Sequence, residues 1–86
     1  MNLIAYILVL RTDTPDLADF ILGAHFCCEF RIHHHGMTVA VCEDVIDENR
    51  VYRYFHAFPG HPSCRATIVE TARVEDKGKL IQKCRI

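Results

Sequence analysis

The stretch Leu3–Leu10, Leu-Ile-Ala-Tyr-Ile-Leu-Val-Leu, is apolar on both alternating sets of positions. In an extended chain Leu3, Ala5, Ile7 and Val9 point one way, and Ile4, Tyr6, Leu8 and Leu10 the other. Such a run is too short to cross a bilayer as a helix, is rich in β-formers, and stops abruptly at Arg11-Thr12-Asp13. It predicts a central strand covered on both faces. A chain of 86 residues can cover one face with its own helices. The second face is expected to stay open until a partner, or a second copy of the chain forming a homodimer, covers it.

Half of the residues are hydrophobic and 24% are charged, without repeats or low-complexity runs, which predicts one globular α+β domain over residues 1–86. No basic residue precedes the apolar run and no small-residue cleavage site follows it, so neither a signal peptide nor a membrane anchor is expected. Five cysteines, an odd number with no Cys-x-x-Cys pair, read as reduced thiols in a cytoplasm.

After the first strand, Thr14-Pro15-Asp16 is a helix start: a cap, a proline suited to the first helical position, and an acid at the positive end of the dipole. Leu17, Phe20 and Ile21 form its buried stripe, and Gly23 is expected to end it. From Ala24 the chain alternates to His33, and Met37-Thr38-Val39-Ala40-Val41-Cys42 alternates again. A two-residue turn at His35-Gly36 then sets Ile32 opposite Val39, Phe30 opposite Val41, His33 by Thr38, Arg31 by Ala40, Glu29 by Cys42 and Cys27 by Asp44. Asp47 to Phe58 allows two readings: Val51, Tyr54, Phe55 and Phe58 sit at helical spacing, with Asp47 as cap and Pro59-Gly60 as terminator, while the same residues favour a strand with Asp47-Glu48-Asn49-Arg50 as a hairpin turn; the helix is the expected one. Arg65 to Val74 reads as a strand, Asp76-Lys77-Gly78-Lys79 as a turn, and Leu80 to Ile86 as a last strand. The expected fold is the ferredoxin-like split βαβ, βαββαβ plus a C-terminal strand, with two helices on one face of an antiparallel sheet.

Charge is distributed unevenly behind a net of −1. Acids cluster as Asp13, Asp16, Asp19 and as Glu43, Asp44, Asp47, Glu48, while the bases are concentrated after residue 64. If the first and third strands run side by side and parallel, the two helices begin at one end and all seven acids gather there. That would form an acidic end for a basic, nucleic-acid-binding protein partner. The plainer reading is that acids at helix N-termini complement the dipole.

His25, Cys27, Glu29 and Cys42 are near neighbours in the predicted hairpin register, and form a candidate zinc or copper site that lacks the tight paired spacing of strong zinc motifs. His56, His61 and Cys64 surround the Pro59-Gly60 turn and would be the base and nucleophile of an enzyme. No Ser-His-Asp order, glycine-rich phosphate loop or pair of flanking carboxylates accompanies them, so the chain is not expected to be an enzyme; a small dimeric ferredoxin-like enzyme is the alternative. Direct nucleic-acid binding is not expected either, because Met37 to Val41 lacks the stacking aromatics that an RNA-recognition sheet needs. What remains is a stand-alone protein-binding module, an inhibitor or adaptor acting through its open sheet face, its acidic end, or both, with no cofactor. Phage-encoded viral inhibitors of nucleic-acid-handling machinery, of the anti-CRISPR type, are a functional analogy without a sequence match.

Overall fold

The two-sided strand β1 (Ile4–Arg11) lies inside a four-stranded sheet of order β2-β3-β1-β4. The computed structural model describes residues 4–43, 47–57 and 64–85; Leu3, Asp44, Phe58, Pro59, Gly60, His61 and Ile86, named above, lie outside them. Around β1 the chain places α1 (Pro15–His25), β2 (Cys28–His34), β3 (Met37–Cys42), α2 (Glu48–His56), β4 (Arg65–Arg73), a 3-10 turn over Val74–Asp76, and α3 (Lys77–Cys84). The protein is α+β, with every neighbouring strand pair antiparallel.

The even-numbered side chains of β1, Tyr6, Leu8 and Leu10, pack with Ala18, Ile21 and Leu22 of α1 and with Val51 and Phe55 of α2. The odd-numbered Ala5 and Ile7 pack with Val41 and with Leu80 of α3. The last segment is therefore a helix, not the expected strand, and it covers part of the face expected to be open. Lys77-Gly78-Lys79 opens this helix where a turn was predicted. Tertiary burial of Leu80 outweighs a local pattern too short to distinguish helix from strand.

Helix α1 also runs past Gly23 to His25. A Cβ at Gly23 would lie 2.8 Å from Nη1 of Arg31, the far end of a side chain whose Nε reaches Asp19 at 2.6 Å. Thr14 occupies the cap position without a side-chain bond to the helix; its hydroxyl contacts that of Thr12 at 3.0 Å. Asp47 does cap α2, accepting from the Asn49 amide at 2.9 Å.

The β2–β3 register is the predicted one at Ile32–Val39, Phe30–Val41, His33–Thr38 and Arg31–Ala40, with His35 and Gly36 both at positive φ in the turn. An irregularity between Cys28 and Phe30 then brings Cys28, rather than Glu29, opposite Cys42. These two buried cysteines form a disulfide, which corrects the expectation of five reduced thiols. Cys27 stands outside the strand at φ 51°, exposed.

Lys77 ties α3 to the hairpin, bonding Glu43 at 2.5 Å and Glu29 at 3.2 Å. The Glu43 hydrogen bond raises the Lys77 pKa, against the opposing effect of burial, and Glu29 adds to the rise. A raised folded-state pKa means that the stabilisation is fully present below the unfolded value of 10.5 and is lost as pH climbs through the folded value. Lys77→Met should thus lower stability by up to about 1 kcal/mol at neutral pH. Urea midpoints of the two proteins should differ at pH 7 and converge well above pH 10.5; a difference that persists there would assign the effect to packing of the lysine stem.

Candidate functional site: the uncovered half of the outer sheet face

Alternation and register arrange the α3 side of the sheet in rows across the strands. Phe30, Val41, Ile7 and Glu70 form one row, flanked by the Ala5–Ala72 pair, and α3 lies over this part. The next row is Ile32, Val39, Val9 and Thr67; the last is His34, Met37, Arg11 and Arg65. Ile32 is 42% exposed, and Val9, Val39 and Met37 are half-buried. The uncovered half-face is thus an apolar row beside a row carrying two guanidiniums and an imidazole. No carboxylate occurs among these eight residues.

Both sheet edges are plugged nearby. On β2 the Arg31 guanidinium takes up the Cys28 carbonyl, and on β4 the Ile68 amide donates to Glu48 Oε1 at 2.8 Å, next to the register shift at Ile7/Leu8. Side chains that occupy edge groups in this way oppose pairing with another strand, which leaves the face as the accessible part of the sheet.

The six described acids, Asp13, Asp16, Asp19, Glu43, Asp47 and Glu48, do not converge. β3 is antiparallel to β1, pairing Arg11 with Met37 and Tyr6 with Cys42, so the chain enters α1 and α2 at opposite ends, about 17 Å apart along the strands. The physical reason is directional: α1 returns the chain so that β2 runs with β1, and the tight turn then reverses β3, which pairs with both. Asp19 is engaged by Arg31, Glu43 by Lys77, Asp47 by the α2 cap and Glu48 by Ile68, while Asp13 and Asp16 are exposed at the start of α1. Asp44 lies outside the described residues.

Nor are the four metal candidates brought together. His25 stacks on Tyr54 at 4.4 Å, Cys27 is outside the strand, Glu29 faces Lys77, and Cys42 is in the disulfide. Among the described residues no group of three or more His, Cys, Asp or Glu is placed to hold a metal ion. Burial pushes the Cys64 thiol up to about 11, the reverse of what a nucleophile needs; burial, then the charge of Glu70, likewise raises Cys84. His56 rests 4.0 Å from the Tyr52 ring.

Among the described residues one hollow adjoins the last row and another lies on the helical layer. The first, of about 300 Å³, is lined by Thr12, Asp13, Pro15 and the hairpin tip from His33 to Thr38; there His33 Nδ1 lies 2.8 Å from the hydroxyl of Thr38, which is only 1% exposed. The other, about 360 Å³ and open, is lined by Arg50, Arg53, Tyr54 and Ala57 of the helical layer. Arg50 lies over Phe26 at 5.5 Å.

Sequence reasoning missed Val9, Arg11, Ile32, Val39 and Arg65 as one surface. The signal was present in the odd-numbered alternation of β1 continuing to Arg11, but it becomes a surface only once β4 pairs with β1. No helix among the described residues is long and apolar enough to cross a membrane. No protein-family model, curated protein or solved structure matches the chain.

Proposed function

We propose that this chain is a protein-binding module, an inhibitor or adaptor of a larger protein, that takes its partner on the uncovered half of the outer sheet face. The observation that carries this reading is the apolar row Ile32–Val39–Val9, in which Ile32 is exposed and Val9 and Val39 are half-buried, Val39 at the margin of the cluster that Leu80 closes. An apolar stripe with a polar border is the composition of a protein interface core and rim. The strand order, with helices after β1 and β3, supports reading the domain as the ferredoxin-like split βαβ with α3 added; that fold hosts many activities, so the function rests on the surface. The disulfide counts against the cytoplasmic expectation, since such bonds persist most readily in oxidising compartments.

Two baits test the proposal. Ile32→Asp places a charge in the apolar row, while Phe20→Asp changes a more exposed aromatic on the helical layer, at 58% against 42% exposure. Partner capture should be lost with the first and kept with the second, both baits showing the circular dichroism of the parent. Equal capture by both, or loss with Phe20→Asp alone, places the interface on another surface.

A further inference from the structure

We infer that the segment received by this half-face is an amphipathic helix with carboxylates along one edge of its apolar stripe; the inference rests on the docking surface proposed above. Dimensions select the helix. Rows repeat every two residues, about 7 Å along the strands, and four strands span about 14 Å, so the apolar and cationic rows together offer a strip one helix wide and about two turns long. The chain already covers the adjoining rows with a helix of that length, α3, through Leu80 with Ile81 and Cys84 at its margin. A second helix at the usual 8–10 Å separation from α3 would set its apolar stripe on Ile32, Val39 and Val9 and its outer edge on the last row.

Charge selects the sign. Arg11 and Arg65 are directly opposite one another across β1 and β4, both exposed, and among the described residues no ion pair engages either. Like charges facing across a strand pair destabilise the sheet, and nothing within the described fold offsets that cost. Carboxylates from a partner would, with the His34 ring in the same row offering a further N–H donor. A second copy of the chain brings no acid in this surface, because an isologous contact reuses the same eight residues.

Two fluorescein-labelled synthetic peptides of about 18 residues, long enough to hold a helix, provide the test. They share an apolar stripe at helical spacing and differ only in Glu or Lys beside it. Anisotropy titrations should show the Glu peptide binding at least about tenfold more tightly than the Lys peptide, with steep salt dependence. Arg11→Glu with Arg65→Glu should reverse the preference; Arg11→Gln with Arg65→Gln, which adds no new charge, should level it. Ile32→Asp should weaken both peptides. Equal affinities that Ile32→Asp still abolishes would overturn the acidic helix and leave the docking surface standing. Tight Glu-peptide binding that ignores Ile32→Asp would remove the docking surface itself. Failure of both peptides to bind, or a dimer in light scattering that Ile32→Asp dissolves, overturns the inference.

Discussion

Leu80→Ala should cost about 2–5 kcal/mol, a large share of the stability of a domain this size. Leu80 is 2% exposed and closes the outer core with Ala5, Ile7 and Val41, all buried. It is the only fully buried residue of α3, and a helix of eight residues does not hold together in water without such an anchor. Truncation therefore removes the contact area of one side chain and loosens a segment that is otherwise held by Lys77 on Glu29 and Glu43, by Lys83 on Glu70, by Arg85 over the Phe30 ring, and by the half-buried Ile81 and Cys84. The variant should show a lower urea midpoint, early loss of amide protection between Lys77 and Cys84, and binding of an apolar dye to the bared rows of Ala5 and Ile7. A loss below about 1 kcal/mol with protection intact would mean that α3 is held by other contacts.

Reduction of the Cys28–Cys42 disulfide should lower the unfolding free energy by about 3 kcal/mol, the loop-closure value for a bond with a sequence separation of 14. The effect resides mainly in the unfolded chain, which gains freedom once the hairpin is no longer tied, so the native sheet should keep its shape. Both sulfurs are buried, Cys28 at 2% and Cys42 at 0% exposure, so a reductant reaches them only when the β2 edge opens. Denaturant curves with and without dithiothreitol, the reduced sample being refolded from denaturant, should differ by that amount, and reduction of the native protein should be slow. Superimposable curves would show that the pair contributes nothing to stability.

How much of this was legible in the sequence depends on how local the signal was. The two-sided burial of β1, the helix start at Pro15, the Asp47 cap and the hairpin pairs around His35-Gly36 are each specified within a few residues, and each is found in the structure. Gly23 was misleading because it lies inside the helix, which continues to His25, rather than at its end. The disulfide was hidden by a single irregularity at Glu29, which shifts one register position and exchanges a Glu29–Cys42 pair for a Cys28–Cys42 pair. α3 was misread because Leu80, Cys84 and Ile86 alternate as well as Leu80, Ile81 and Cys84 fit a helical stripe, and only the bare row over Ile7 decides between them. The supposed acidic end failed on strand direction alone. Residue composition carries no information about it, whereas the antiparallel pairing of β3 with both β1 and β2 determines it.

The outer half-face is cationic, where the sequence suggested an acidic binding surface. Four of the acids have bonding partners inside the domain, whereas Arg11 and Arg65 face outward beside an apolar row. Charge that is already satisfied within a fold steers a partner weakly, and charge left at a cost to the sheet is the better indicator of a site.

If the half-face not covered by α3 is where the protein meets its partner, methyl and amide shift mapping will show contact there. Titrating the acidic helical peptide into isotope-labelled protein should move the Val9, Ile32 and Val39 methyl signals together, with the Arg11 and Arg65 amides following and the α1 and α2 signals unmoved. Shifts concentrated instead at Phe20, Arg53 and Tyr54 on the helical layer, with those three methyl groups stationary, would contradict it.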